Sequence, residues 1–378
     1  MGPLEGMTVV EIASLGPGPF CAMVLADLGA EVVRVDRKDA ALGVPAGAVD
    51  PLLRGRRSIA LDMKKPGAAE VVLRLAEGAD ALLEGFRPGV AELLGFGPDA
   101  CLERNPRLVY GRVTGWGREG PLAMRAGHDI DYIAVAGALH PIGNAGGLTV
   151  PPLNLVADFG GGGMLLAVGV LAALFERARS GKGQVVDAAM VDGSALLCTI
   201  FHGMRAAGMW SDERGANLLD GGTPFYDCYE TADGRYVAVG ALEPQFFLAL
   251  LGGLGIDPAT VPAQYDRSGW PALRERLAAA FRTRTRDEWE AAFAGLDGCV
   301  APVLTLEEST RHPQNVARGT FVDVGGIVEP APAPRFGRTP AGTPSPSARP
   351  GAHTDEVLAA FGFGEAEVAA LRAAGVVG

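Results

Sequence analysis

Apolar runs and short polar breaks alternate from the start of the chain. "MTVVEIA" (7–13) is an apolar run of strand length, and "SLGPGP" (14–19) interrupts it as a loop. "FCAMVLADLGA" (20–30) has the spacing of a helix ending on glycine, and "EVVRVD" (31–36) reads as a second strand. That is a βαβ unit, and the rhythm recurs. "GAAEVVLRLAEGA" (67–79) is helical, "DALLEGF" (80–86) strand-like, and "RLVYGRVTG" (107–115) a further strand. The alternation predicts an α/β fold with a doubly wound, mostly parallel sheet.

The texture changes near residue 225. "GRYVAVGAL" (234–242) is a strand, followed by amphipathic helices in "WPALRERLAAAFRT" and "RDEWEAAFAGL", then a strand in "CVAPVLT" (299–305). These predict a smaller α+β domain over 225–318, with a large α/β domain over 1–190 and a linker helix over 191–224. A Pro-rich connecting segment spans 319–350, extended through "IVEPAPAPRFGRTPAGTPSPSARP" (327–350). Residues 330–378 return to the large domain, and "TDEVLAAFGFGEAEVAALRAAG" (354–375) reads as two short helices that need a docking surface to be stable. Cys299, beside an apolar strand, reads as core.

Composition narrows the function classes. A chain of 378 residues with 48% hydrophobic and 20% charged residues has the make-up of a soluble globular protein. A net charge of −11 argues against general nucleic-acid binding, which needs a basic face. Five scattered cysteines form no CxxC pair, which argues against zinc or a disulfide framework and for a reducing cytosol. No secretory signal precedes the first strand, and the terminal "AGVVG" is no peroxisomal address. The most apolar run, "GMLLAVGVLAALF" (163–175), is too short to span a bilayer and reads as a buried helix, so no membrane partner is expected.

"LGPGPF" after the first strand, with Asp36 ending the second, imitates a dinucleotide fingerprint. The match is poor. Pro17 and Pro19 lack the N–H groups that approach a pyrophosphate, and Cys21 stands at the third glycine position. Asp36 reads instead as a strand-end residue in a polar loop.

Two polar islands carry the candidate chemistry. In "GHDIDY" (127–132), glycine permits close approach and His128 stands among Asp129, Asp131 and Tyr132. A histidine at a loop or helix start is often only a cap, but its intrinsic titration near neutrality suits proton transfer. In "PLNLVADFGGGG" (152–163), Asp158 precedes four glycines and a helix. Asp is a favoured N-cap. Four glycines further imply that something approaches the backbone closely, and bare helix amides suit a developing oxyanion. Glu243, before a proline, reads as a helix-start residue. Arg34, Arg37, Lys38, Arg54, Arg56, Arg57, Lys64, Lys65 and Arg87 cluster at predicted loop ends, which suits an anionic, phosphate-bearing ligand.

At these residues the sequence resembles the family III CoA-transferase superfamily, and within it the α-methylacyl-CoA racemases. The likeness runs through "VVEIASLGPGPFCAMVLADLGAEVVRVDR", "LLEGFRPGV", "GHDIDY", "PPLNLVADFGGGG", "SGKGQVVDAAMVDG", "NLLDGGTPFYDCYETADGRYVAVGALEPQFF" and "CVAPVLTLEE". The resemblance implies acyl-CoA thioester substrates, no metal or redox cofactor, and an interlocked homodimer. It implies catalytic roles for His128 and Asp158, with Glu243 from the small domain supporting the histidine. CoA contacts are implied for Arg37, for Ala60, Leu61, Asp62 and Met63, for Arg87, and for Gly127, Asp129, Ile130, Asp131 and Tyr132. The implied reaction interconverts (2R)- and (2S)-2-methylacyl-CoA by α-proton abstraction and return. The alternative within the superfamily is CoA transfer between carboxylic acids, with Asp129 as nucleophile. A third reading, a catalytically inactive CoA binder, is disfavoured by the retention of all three polar partners.

Overall fold

The computed structural model describes residues 2–38 and 50–378. Contacts divide the chain into two units. Unit 1 comprises the described residues up to Ala136, with Pro152–Leu197 and Gln314–Gly378; unit 2 comprises Gly137–Pro151 and Cys198–Pro313.

Unit 1 opens with β1 (Thr8–Ile12), α1 (Pro17–Asp27) and β2 (Glu31–Arg37). The predicted loop at 14–19 is half helix. Pro17 takes the first helical position, where the missing N–H costs nothing. Next come β3 (Arg56–Leu61), α2 (Ala68–Glu77), β4 (Ala81–Glu84), α3 (Val90–Leu93), α4 (Pro98–Arg104) and β5 (Val109–Thr114). The first polar island starts α5 (Asp129–Val135). The second opens a wide, π-type helical stretch, Leu155–Met164, that runs on as α6 (Leu165–Ser180) into β6 (Gln184–Ala189) and α7 (Met190–Leu197). β3 and β6 escaped the apolar pattern: "RRSIAL" opens on two arginines, and "QVVDAA" is short and half polar.

The six strands lie in the order β3-β2-β1-β4-β5-β6, all pairs parallel. Chain direction across the sheet reverses between β1 and β4, so a crevice opens at the carboxyl ends of those strands. One face of β1–β3 is apolar: Val10, Ile12, Val33, Val35, Ile59 and Leu61 join Val71, Val72 and Leu75 of α2 in the core.

The opposite face of these strands is charged and buried. Arg34 pairs with Glu11 at 2.5 Å and Asp36 at 2.8 Å, Arg56 pairs with Glu11 at 2.8 Å, and Ser58 donates to Asp36 at 2.6 Å. Arg54 joins Asp27 at 2.6 Å and Glu329 at 2.9 Å. The expectation that these three arginines serve an anionic ligand is therefore corrected: each is buried in ion pairs made by the fold. Arg57 likewise pairs with Glu31 and Glu356. Asp36 lies inside β2 rather than in a polar loop, and its carboxylate is fully engaged by Arg34 and Ser58.

The apolar run expected to be a short buried helix belongs to a continuous helical segment, Leu155–Ser180, of 26 residues. By length and composition it could cross a membrane, a test that core helices of globular proteins also pass. One face, with Leu166, Ala167, Val170 and Ala173, packs inward, while Val168 and Phe175 stay exposed, so the helix is buried on one side only.

Unit 2 contains α8 (Thr199–Ala206), an antiparallel sheet of β7 (Tyr226–Glu230), β8 (Tyr236–Gly240) and β9 (Val300–Pro302), and the helices α9 (Pro244–Gly253), α10 (Trp270–Phe281), α11 (Arg286–Phe293) and α12 (Leu306–Ser309). Phe225, Phe247, Leu250, Phe281 and Trp289 centre its core. Cys299 is exposed at φ 49° rather than in that core.

The chain then runs through α13 (Pro313–Arg318) into a hairpin of β10 (Phe321–Val324) and β11 (Ile327–Pro330), so the expected extended segment begins as paired strand. The two terminal helices, α14 (Thr354–Ala360) and α15 (Glu365–Ala373), dock on unit 1 through Val357, Leu358 and Val368.

Candidate active site

Loops after β1, β4 and β5 enclose a cavity of about 330 Å³ at the sheet's carboxyl edge. Its wall includes Gly16 and Pro17 after β1, Phe86 and Arg87 after β4, Trp116 after β5, Gly127, His128 and Tyr132 of the first island, and Asp158 of the second. The structure thus brings the histidine and the aspartate of the two islands to one cavity. The switch point of a parallel sheet is where such a crevice is expected.

His128 occupies the N-cap position of α5, with extended backbone, and Asp131 accepts its N–H at 2.9 Å. Its imidazole is exposed to the cavity. Cap and cavity residue coincide. The glycines around it serve close packing within the chain. A Cβ on Gly115 or Gly127 would meet the ring of Tyr132 at 2.2 Å and 2.7 Å, and Tyr132 donates its hydroxyl to the Gly127 carbonyl. Trp116 meets Tyr132 edge-on at 4.8 Å. Burial, with Asp158 and Asp131 nearby, pushes the Tyr132 phenol up to about 12.

Asp158 lies in the first turn of the Leu155–Met164 stretch and is partly buried. Desolvation holds its carboxyl above the ordinary aspartate range, and Asp129 adds to the shift. The Asn154 amide, donating at 3.1 Å, and His128 oppose it. A helix N-terminus favours an ionised carboxylate; here burial outweighs it.

The helix amides are not bare, which corrects the oxyanion expectation. The backbone N–H groups of Ala157 and Asp158 donate to Oδ2 of Asp129 at 2.7 Å and 2.8 Å. Asp129 itself is buried. The four glycines also answer to the chain's own helices rather than to a ligand. A Cβ on Gly163 would meet the Pro17 carbonyl at 2.7 Å, one on Gly162 would meet Met190 at 2.8 Å, and one on Gly161 would meet the Ser194 nitrogen at 2.8 Å. Gly16, at φ 69°, lies against Asp158, whose Oδ2 would be 3.0 Å from a Cβ there.

The remaining candidates fall in three places. Arg87 is exposed at the cavity rim, as is Arg125, which sequence reasoning passed over although it stands just ahead of the first island, three positions before His128. Neither has a carboxylate partner among the described residues. Ile130 and Asp131 are exposed on α5.

Arg37 is exposed at the end of β2, and Ala60–Met63 end β3, on the same carboxyl edge but outside the cavity. Leu61 is fully buried in the core and bridges Val377, and the Ala60 carbonyl accepts the Gly378 N–H, while Asp62 and Met63 are half-buried, Met63 against the core. Glu243 belongs to unit 2, exposed at the N-cap of α9. Among the described residues no group of three or more His, Cys, Asp and Glu could hold a metal ion.

The fold and this cavity define an α/β protein with a histidine and an aspartate at a sheet switch point, and the chain belongs to CoA-transferase family III, whose profile matches residues 4–354. Within that setting it is similar to the α-methylacyl-CoA racemase of Mus musculus, 48% identical over 99% of this chain and 97% of that one. It is 47% identical to the α-methylacyl-CoA racemase of Homo sapiens, over 97% of this chain and 95% of that one. A solved CAIB/BAIF family protein from Brucella suis superposes with a TM-score of 0.82 at 26% identity, over 95% of this chain and 99% of that one.

Proposed function

We propose that this protein is a racemase that interconverts (2R)- and (2S)-2-methylacyl-CoA thioesters through an enolate. The observation that carries the reading is the convergence on one cavity of His128 and Asp158, whose carboxyl burial holds above its ordinary range. The imidazole takes the α-proton from one face, the C–H electron pair forms the enolate C=C bond, and the carbonyl π pair moves onto the thioester oxygen. Asp158 then delivers its proton to the opposite face of the same carbon. Running the two roles backwards serves the other epimer. A carboxyl held above its usual range is suited to the donor half of that cycle.

The enolate oxygen calls for donors other than the amides of Ala157 and Asp158. The first turn of α5, at Asp129 and Ile130, supplies N–H groups that no helical carbonyl accepts. Arg87 and Arg125 at the rim, with Arg37, Asp62 and Met63 farther along the same edge, suit an elongated anionic carrier such as CoA lying outside a small thioester chamber. The burial of Asp129 and its two amide bonds weigh against a role as transferase nucleophile.

The working assembly in this reading is a homodimer. The exposed apolar face of Leu155–Ser180, with Leu196 and Leu197 of α7, supports it. Glu243 of the partner subunit then supports the histidine.

The test is to incubate one pure epimer of a 2-methylacyl-CoA in D₂O. Epimerisation with deuterium gained at the α-carbon is expected. Absence of deuterium, with CoA passing to an added carboxylic acid, would replace this reading with the transferase.

A further inference from the structure

Asp129 is the residue that the reaction as drawn leaves without a task. It begins α5, covalently next to His128, and its Oδ2 binds the backbone N–H of Ala157 at 2.7 Å and of Asp158 at 2.8 Å. Its Oδ1 is buried with no hydrogen-bond partner among the described residues. One carboxylate therefore joins the base, through the chain, to the main chain of the acid. We propose that Asp129 is the positioning residue of the acid–base pair, fixing Asp158 relative to His128 and placing its carboxylate beside the two.

The proposal rests on the racemase reading and adds a physical reason for it. Unbonded amides in the first turn of a helix form a positive pole that favours an ionised carboxylate nearby. Asp129 occupies two of those amides and cancels that pole where Asp158 sits. Its charge also opposes a second negative charge on Asp158. Other groups around Asp158 are His128, Asp131 and Tyr132 from α5, Asn154 ahead of its own helix, and Arg87 and Arg125 at the rim. α1 and α7 present Gly16, Pro17 and Met190 to it, none of them titratable. Among the described residues, Asp129 is the charge hydrogen-bonded to Asp158's own backbone.

The test compares pH–rate profiles for deuterium exchange. His128 and Asp158 work with one proton between them, so both limbs of the profile belong to the pair. Asp129→Asn keeps an acceptor for the two amides and removes the charge. Both limbs are expected to move to lower pH, by roughly one unit. Asp129→Glu, which retains the charge, is expected to lose rate while its limbs stay near those of the unaltered protein. A purely structural residue would change the rate and leave the limbs in place, so unmoved limbs in folded Asp129→Asn overturn the proposal.

Should Asp129→Asn not fold, Asp129→Ser, a second neutral acceptor, takes its place, and ¹³C-carboxyl NMR, with Asp158→Asn to assign the signal, compares Asp158 in that variant and in the unaltered protein. A titration of Asp158 that falls when the charge of Asp129 is removed supports the proposal, and one that stays in place overturns it. If the unaltered protein exchanges no deuterium at all, the racemase reading has failed instead, and the NMR titration still tests the Asp129 clamp.

Discussion

Unit 1 holds two polar clusters on the same parallel sheet, and they satisfy their charges in opposite ways. Across β1–β3, Glu11, Arg34, Asp36 and Arg56 are buried and mutually paired. Around the cavity after β1, β4 and β5, His128 and Arg87 are exposed, and Asp158 is half-buried with one amide donor on its side chain. In the first cluster each charge faces its opposite, so nothing is left over for a ligand. In the second, desolvation acts on a carboxyl with no arginine or lysine ion pair among the described residues, and its affinity for a proton rises. Residue type alone does not make a site; the lack of a partner does.

The comparison breaks most sharply at the acid–base pair. His128→Ala and Asp158→Ala are each expected to slow epimerisation by about 10²–10⁴-fold, read from chiral analysis of the product thioester. Their melting temperatures should stay close to that of the unaltered protein, because neither side chain anchors the core. Near-full activity in either variant would remove that residue from the mechanism.

A comparable energy in the other cluster should act on folding instead. Glu11→Ala strands the guanidinium of Arg56 in a buried face, leaves Arg34 with Asp36 alone, and should cost about 3–5 kcal/mol in urea unfolding. A cost below 1 kcal/mol would mean that the arginines find water or other partners.

The smallest effect carries the most informative sign. Asp158 binds its proton more tightly in the folded chain than in the unfolded one. Its contribution to stability is therefore full below the ordinary aspartate value and is lost as pH rises through the folded value. Asp158→Asn does not titrate, so its melting temperature should gain on that of the unaltered protein between acidic and neutral pH. A variant that instead loses ground to the unaltered protein as pH rises would contradict the upward shift.

Much of this was legible in the sequence. The β1–α1–β2 unit, α2, β4 and β5 follow from apolar runs punctuated by glycine, because burial on a sheet imposes that pattern directly. β3 was hidden because its arginines look solvent-bound until Glu11, far away in sequence, is folded against them. The same distance hid the function of Asp129, whose two amide partners lie on another helix. His128 and Asp158 stood out because polar residues interrupt apolar runs there. The glycines beside Asp158 signalled close approach correctly, but the approaching atoms belong to Pro17, Met190 and Ser194.

The outer edge of β3 has a consequence for how the protein is made. Ser58 receives Gly351 on its hydroxyl and donates its N–H to His353, while Leu61 bridges Val377. A ribosome delivers β1 to β6 first and then the whole of Cys198–Pro313, before any residue that seals this edge exists. Throughout that interval a nascent chain carries an open strand, the template on which unwanted pairing starts. The segment that starts first is completed last, and chaperone demand should peak while unit 2 is being translated.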